Sequence, residues 1–168
     1  MINAVVAKQI TAIAATTTQS ISFLIVGTGT LENELKAAAS DSGNVIFAGY
    51  YGDISKIADV IDVFVLTSDS EACPLSLIEA MTLSKPCVSC AGGGAAEVIS
   101  DGVTGFVTPH GDPSALADKL AYLSAHPDLG MSLGNAGRQV ADAKFSLETM
   151  GKKIESIYCS LVKGGKNG

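Results

Sequence analysis

From Ser22 onward the sequence alternates short unbroken apolar runs with glycine-bearing turns and stretches of helical spacing, a pattern few folds accommodate. Phe23-Leu-Ile-Val26 ends in Gly27-Thr-Gly29 and a helical stretch from about Leu31 to Ala39. Val45-Ile-Phe47 closes in Gly49-Tyr-Tyr-Gly52 and a short helix from Asp53 to Ala58. Val63 to Leu66 precedes a helix over Leu75–Leu83, and Cys87 to Cys90 precedes Gly92-Gly-Gly94 and a helical turn through Glu97 to Ile99. Gly105-Phe-Val107 is a fifth run. Runs that are apolar at every position, rather than at every second one, suit strands covered on both faces. Alternation of such strands with helices predicts an α/β, doubly wound, Rossmann-like parallel sheet flanked by helices. Ligands of that architecture bind outside the carboxyl ends of the strands, where Gly27, Gly49, Gly92 and the stretch Ser68–Pro74 all fall.

The remainder reads as a helical C-terminus. Asp112-Pro113 is a cap followed by proline at the first helical position, and Leu116, Leu120 and Leu123 share one face beyond it. Pro127 opens a second helix towards Ala143. Ser146 caps a third, carrying Met150, Ile154, Ile157 and Leu161 at helical spacing. Residues 163–168 are expected to be a disordered tail and residues 1–162 one domain. At the other end Asn3 to Thr17 has the spacing of a helix, with Val6, Ile10 and Ile13 on one face. A sheet that starts with a helix is expected to lack its first strand, or to borrow one, so the chain reads as a fragment of a longer protein. Sheet edges left open beside such a gap would favour self-association.

Composition narrows the function. A net charge of −6, with ten lysines and a single arginine, argues against nucleic acid or an anionic membrane surface as a general partner. No run of 18 apolar residues is present, and the N-terminus lacks the basic-then-apolar order of a signal peptide. Cys73, Cys87, Cys90 and Cys159 are too few for a disulfide scaffold, so a reduced, cytoplasmic setting is expected. Cys87-Val-Ser-Cys90 has redox or zinc spacing, but on a strand two residues three apart point to opposite faces. No second Cys or His pair stands at zinc spacing, and the two are expected to be small buried hydrophobes.

Glu71 and Glu79 carry the chemistry. The segment between them turns from loop into helix, with Pro74 where a first helical turn tolerates it. The amides of Leu75 and Ser76 are then expected to be exposed donors at a helix N-terminus, which attracts phosphate through unpaired N–H groups and the helix dipole. Glu71, on the loop before, can accept hydrogen bonds from sugar hydroxyls. Glu79, about one turn into the helix and leaning back towards its start, can hold both hydroxyls of a ribose. An isolated pair of glutamates would be ordinary solvated charges; Leu77, Ile78, Ala80 and Met81 around Glu79 make it an awkward site for one.

This segment resembles the E-x7-E signature of the retaining glycosyltransferases of family 4, which have the GT-B fold. Phe23–Gly29 is similar to that family's second strand and turn, Val45–Gly49 to its third strand, and Ala58–Ser68 to the approach to its motif. Glu79-Ala-Met81, Lys85-Pro86, Gly93–Val98, Asp101–Val107 and Asp112–Ala117 follow in order, so the resemblance covers roughly residues 3–161. It implies the donor-binding half of an enzyme that moves a sugar from a nucleoside diphosphate to an unknown acceptor, with retention and without a metal or other cofactor. It places Glu71 on the donor sugar as the residue nearest the chemistry, and the backbone of Cys73, Pro74, Leu75 and Ser76 around the sugar and distal phosphate. Glu79 would take the ribose, and Gly49, Tyr50 and Tyr51 would border the base, with Gly27 at the neighbouring strand end.

The family also carries an Arg and a Lys upstream of the first helix, and an N-terminal acceptor domain. This sequence starts after both, so the isolated chain is expected to be inactive, and peripheral attachment to an inner membrane would be a property of the other domain. Ser84 stands where the family usually has glycine, and Ala95-Ala96 replaces a pair ending in proline. Three other readings remain open: a non-catalytic remnant or nucleotide-binding module of the same fold, a sugar-nucleotide 2-epimerase-like domain, and a dinucleotide-binding domain suggested by Gly27-Thr-Gly29. The last lacks the third glycine of its fingerprint.

Overall fold

Every expected apolar run forms a strand, and all the strand pairs are parallel. The computed structural model describes residues 21–68, 71–90 and 92–164; the helical stretch expected over 3–17 lies outside them, as do Asp69 and Ser70. Strands β1 (Phe23–Val26), β2 (Val45–Gly49), β3 (Phe64–Leu66), β4 (Cys87–Cys90) and β5 (Phe106–Thr108) alternate with helices α1 (Glu32–Ala38), α2 (Ile54–Ala58), α3 (Leu75–Thr82) and α4 (Ala95–Val98). Helices α5 (Pro113–Ala125), α6 (Pro127–Lys144) and α7 (Leu147–Gly164) complete the chain. The last helix thus continues two residues past its expected end.

The sheet comes in two pieces. β1 pairs with β2, Phe23 opposite Val45, and β3, β4 and β5 pair in that order, with Val88 opposite both Val65 and Phe106. In a doubly wound sheet the first strand of the sequence lies in the middle of the spatial order. The described residues hold no strand between β1 and β3, and the sheet divides there.

β4 is buried at all four positions, and its alternation feeds two cores. Val88 and Cys90 join Phe106 and the α5 residues Leu116, Leu120 and Leu123 on one face. Cys87 joins Leu77, Ala80 and Met81 of α3, Val98 of α4 and Ala141 of α6 on the other. The Cys-x-x-Cys spacing therefore separates its two thiols, and burial pushes the Cys87 thiol up to about 12. Cys73 and Cys159 are exposed. Titration of the native protein with a thiol reagent at neutral pH is accordingly expected to report two fast thiols of the four; four fast thiols would contradict the two-faced burial of β4.

Helix ends follow local chemistry. The Asp53 carboxylate accepts from the Ser55 hydroxyl at 2.6 Å and amide at 3.0 Å, and those two bonds hold its pKa below the usual carboxylate value. Asp112 accepts from the Ala115 amide at 3.0 Å, and Ser146 from that of Thr149 at 3.2 Å. α3 ends in a paired motif: Ser84 N–H donates to the Met81 carbonyl and Lys85 N–H to that of Ala80. That motif puts Ser84 at φ +56°, the left-handed region glycine favours. Ser84→Gly is therefore expected to stabilise the chain by about 1 kcal/mol, raising Tm by about 2–4 °C. A lowered Tm would mean that the Ser84 side chain contributes more than its backbone strain costs.

The apolar stripe of α7 is left uncovered by the described residues: Met150, Ile154, Ile157 and Leu161 are between 45% and 66% exposed. Among the described residues no helix is long and apolar enough to cross a membrane.

Candidate functional site

A cavity of about 1370 Å³ runs along β1 and β3, from Ile21 and Lys85 at their amino ends to Val26 and Thr67 at their carboxyl ends. Glu71, Ser76 and Glu79 lie on its wall together with Tyr51, Asp53, Thr67 and Ser68. Two glutamates eight positions apart in sequence are thus brought to one surface by the β3–α3 turn. Glu71 is half-buried, while Glu79 is exposed on a helix whose neighbouring Leu77, Ala80 and Met81 are buried. The apolar flank of Glu79 is therefore turned into the core and its carboxylate out of it, which resolves the awkwardness seen in the sequence.

α3 starts at Leu75, and Pro74 is its N-cap rather than its first helical residue; no side chain caps this end. The sequence leads one to expect a free donor in the Leu75 amide, but it donates to the Cys73 carbonyl at 2.9 Å. The amides of Leu77 and Ile78 both reach the Pro74 carbonyl, which leaves Ser76 as the donor that faces outward in this turn. Cys73 and Leu75 are exposed and Pro74 is buried, and none of the three lines the cavity. Gly27 and Gly49 meet at the β1–β2 end, where the Gly27 amide donates to the Gly49 carbonyl at 2.7 Å. Of the residues after β2, Tyr51 lines the cavity, whereas Tyr50 is 78% exposed and does not.

Two glycines hold the Glu71 loop in place, a role that was legible in the sequence only as a turn signal. The Gly94 amide donates to the Glu71 carbonyl at 2.5 Å. A Cβ on Gly93 would collide with the Glu71 carbonyl oxygen, and one on Gly94 with that of Ala72. The loop rests directly on bare backbone, which only glycine allows. Thr67, at the end of β3, is also unanticipated. It is 1% exposed and its hydroxyl has no hydrogen-bond partner among the described residues.

The charge of the wall is acidic. Asp53, Asp62, Glu71 and Glu79 line it, against Lys85 as the one lysine or arginine among the described residues of the lining. Lys85 precedes β4, at the amino ends of the strands, and its ammonium donates to the Ile61 carbonyl at 3.0 Å. Arg138 sits instead on the surface of α6, 3.6 Å from Asp142. Among the described residues no group of three His, Cys, Asp or Glu side chains is placed to hold a metal ion.

Comparison with known proteins places this geometry. Residues 4–126 match the family model described as glycosyl transferases, group 1. N-acetyl-alpha-D-glucosaminyl L-malate synthase of Bacillus anthracis is 31% identical over 124 residues, 74% of this chain and 32% of the relative. A GDP-mannose-dependent monoacylated alpha-(1-6)-phosphatidylinositol monomannoside mannosyltransferase of Corynebacterium glutamicum is 31% identical over 147 residues, 82% of this chain and 38% of the relative. Among solved structures, Anabaena HepE in complex with UDP superposes with a TM-score of 0.85 at 23% identity, covering 91% of this chain and 44% of that one. The chain spans about a third of the length of the curated relatives it matches.

Proposed function

Because the chain belongs to the group 1 glycosyl transferases, we propose that it is the donor-binding half of a glycosyltransferase using a nucleoside-diphosphate sugar. The observation that carries this reading is the meeting of Glu71, Ser76 and Glu79 on the wall of one cavity, in the part beyond the carboxyl end of β3. In this reading the Ser76 amide and the positive end of α3 take the distal phosphate. Glu71 accepts hydrogen bonds from the donor sugar and is the group nearest the reacting carbon. Glu79, exposed one turn further on, accepts from the ribose hydroxyls. Cys73, Pro74 and Leu75 act through the loop they form, and Gly27, Gly49 and Tyr50 set the backbone beside Tyr51, which borders the base. The bond from the sugar's anomeric carbon to phosphate breaks, a bond to an acceptor oxygen forms on the same face, and the acceptor's proton leaves with the nucleoside diphosphate or to solvent. We assign no resident metal or cofactor to this step.

A relative that takes GDP-mannose and a structural neighbour holding UDP support a nucleoside diphosphate without choosing its base. A second reading, a nucleotide-binding module without turnover, is favoured by the acidic lining, since the described residues offer the pyrophosphate no cation at the carboxyl end. Both readings predict binding; only the first predicts transfer once an acceptor-binding half is supplied.

The test is thermal stability with UDP, GDP, ADP and UDP-glucose. A nucleotide present at a hundred times its Kd should stabilise the chain by about 2.7 kcal/mol. Glu79→Ala removes hydrogen bonds to a charged acceptor and is expected to weaken that ligand about tenfold or more. The absence of any shift at millimolar nucleotide would overturn the donor-site reading.

A further inference from the structure

A nucleoside-diphosphate donor carries one of several bases, and the stretch between β2 and α2 bears on which. α2 packs directly against α3. Both helices follow a parallel strand, so both begin at the carboxyl ends of the strands. Along that edge the cavity wall passes from Ser76 and Glu79 on α3 to Tyr51, Gly52 and Asp53 at the start of α2. A phosphate at the Ser76 amide and a ribose on Glu79 thus send the base towards Tyr51. The exposed ring of Tyr51 lies on the wall and offers the base a face to stack on.

The base also presents a hydrogen-bonding edge. Between β2 and β3, two of the described lining residues carry a carboxylate, Asp53 and Asp62. Asp62 stands two positions before β3, at the amino ends of the strands and away from the nucleotide. Asp53 is the one at the carboxyl edge. Its Oδ1 accepts from the Ser55 hydroxyl at 2.6 Å and amide at 3.0 Å, which fixes the carboxylate at the N-cap of α2. Its Oδ2 accepts no hydrogen bond among the described residues and is left to a ligand. The Ser55 bonds also hold its pKa below the usual carboxylate value, so at neutral pH the group accepts and never donates.

An oxygen that only accepts discriminates among bases. Guanine offers two adjacent, parallel donors, N1–H and its 2-amino group, and both converge on one carboxylate oxygen. Uracil offers a single N3–H flanked by two carbonyl oxygens. Adenine and cytosine each set an amino group beside a ring nitrogen that accepts. All three bring a lone pair against the carboxylate.

We propose that, within the donor reading on which this rests, Asp53 reads the base and selects guanine, so that the donor is a GDP-sugar. Tyr51 supplies stacking that any base accepts, and Asp53 supplies the choice.

The test is titration of the full chain with GDP, UDP, ADP and IDP, followed by thermal shift and by the amide NMR signals of Tyr51, Gly52 and Asp53. The four ligands share one diphosphate, so repulsion from Glu71 and Glu79 cancels between them and their differences report the base. GDP is expected to bind about tenfold or more tightly than UDP and ADP. IDP differs from GDP only in lacking the 2-amino group, and is expected to lose most of that advantage. Asp53→Asn tests the residue itself. Asparagine caps a helix as well as aspartate does, so α2 stays in place while the carboxylate is removed. In that variant GDP and IDP are expected to bind alike. Equal affinities of GDP and UDP for the parent chain would overturn the guanine assignment and leave the donor reading standing. A preference for GDP that survives in Asp53→Asn would overturn the role of Asp53. No binding by any of the four at millimolar concentration would overturn the donor reading, and the choice of base with it.

Discussion

Gly94→Ala is expected to abolish the stabilisation of the chain by any nucleotide that binds it, while the native fold persists. The methyl group would land on the Ala72 carbonyl oxygen and close to that of Glu71, both backbone atoms that cannot rotate out of the way. The Gly94 amide is also the donor to the Glu71 carbonyl, so the displaced loop loses its anchor as well as its space. Moving this loop by an ångström takes Glu71 out of line with Ser76 and Glu79, and misplacement on that scale is enough to cost orders of magnitude in a site that works by positioning. The cavity wall on the core side, built by α3 and β3, does not depend on this contact. The measurement is a nucleotide titration followed by thermal shift, with circular dichroism of the free variant as the control for folding. An unchanged affinity in Gly94→Ala would mean that Glu71 is not part of the ligand site, whatever the fate of Glu79. Glu71→Gln separates the cases further, because it alters the carboxylate and leaves the loop in place.

The largest loss of stability is expected from Leu77→Ala. Leu77 is fully buried on the inner face of α3, packed with Ala80, Met81, Cys87, Val98 and Ala141. These neighbours belong to α3, β4, α4 and α6 and cannot all collapse onto the space a leucine leaves. Truncation there costs about 2–5 kcal/mol, out of a total stability of about 5–15 kcal/mol for a domain of this kind. A fall in Tm of about 10 °C follows for a chain of this length. Leu75, two positions earlier on the same helix, is 67% exposed, and Leu75→Ala is expected to stay within about 0.5 kcal/mol of the parent. Urea melts of the two variants decide the matter: equal losses would show that α3 is not seated as described.

Much of this architecture was readable without coordinates because its causes are local. Asp112 and Ser146 cap helices by reaching amides three residues ahead, Asp53 by reaching one two residues ahead, and Pro127 starts a helix through its own fixed φ. The spacing of Cys87 and Cys90 was enough to place them on opposite faces, since a strand has a period of two. The left-handed Ser84 was marked in advance only as a departure from a glycine, and the backbone supplied the reason. The Leu75 amide was misjudged because a turn one residue upstream, closing on Cys73, competes for it. Sequence patterns do not report such competition between neighbouring carbonyls.

By itself, then, the order of residues determined the strand and helix series, the parallel α/β class, the resemblance to a glycosyltransferase family and the nomination of Glu71 and Glu79. Tertiary structure alone decided that Glu71 is held on the backbone of Gly93 and Gly94. It alone decided that Glu79 faces solvent, that the described residues leave the stripe of α7 uncovered, and that the described strands pair in two groups, β1 with β2 and β3 with β4 and β5. The division has a physical cause. Caps, turns and periodicities act over a few residues and leave their signature in the chain, whereas the order of strands and the contact of distant loops are settled by which surfaces meet once the chain has closed on itself.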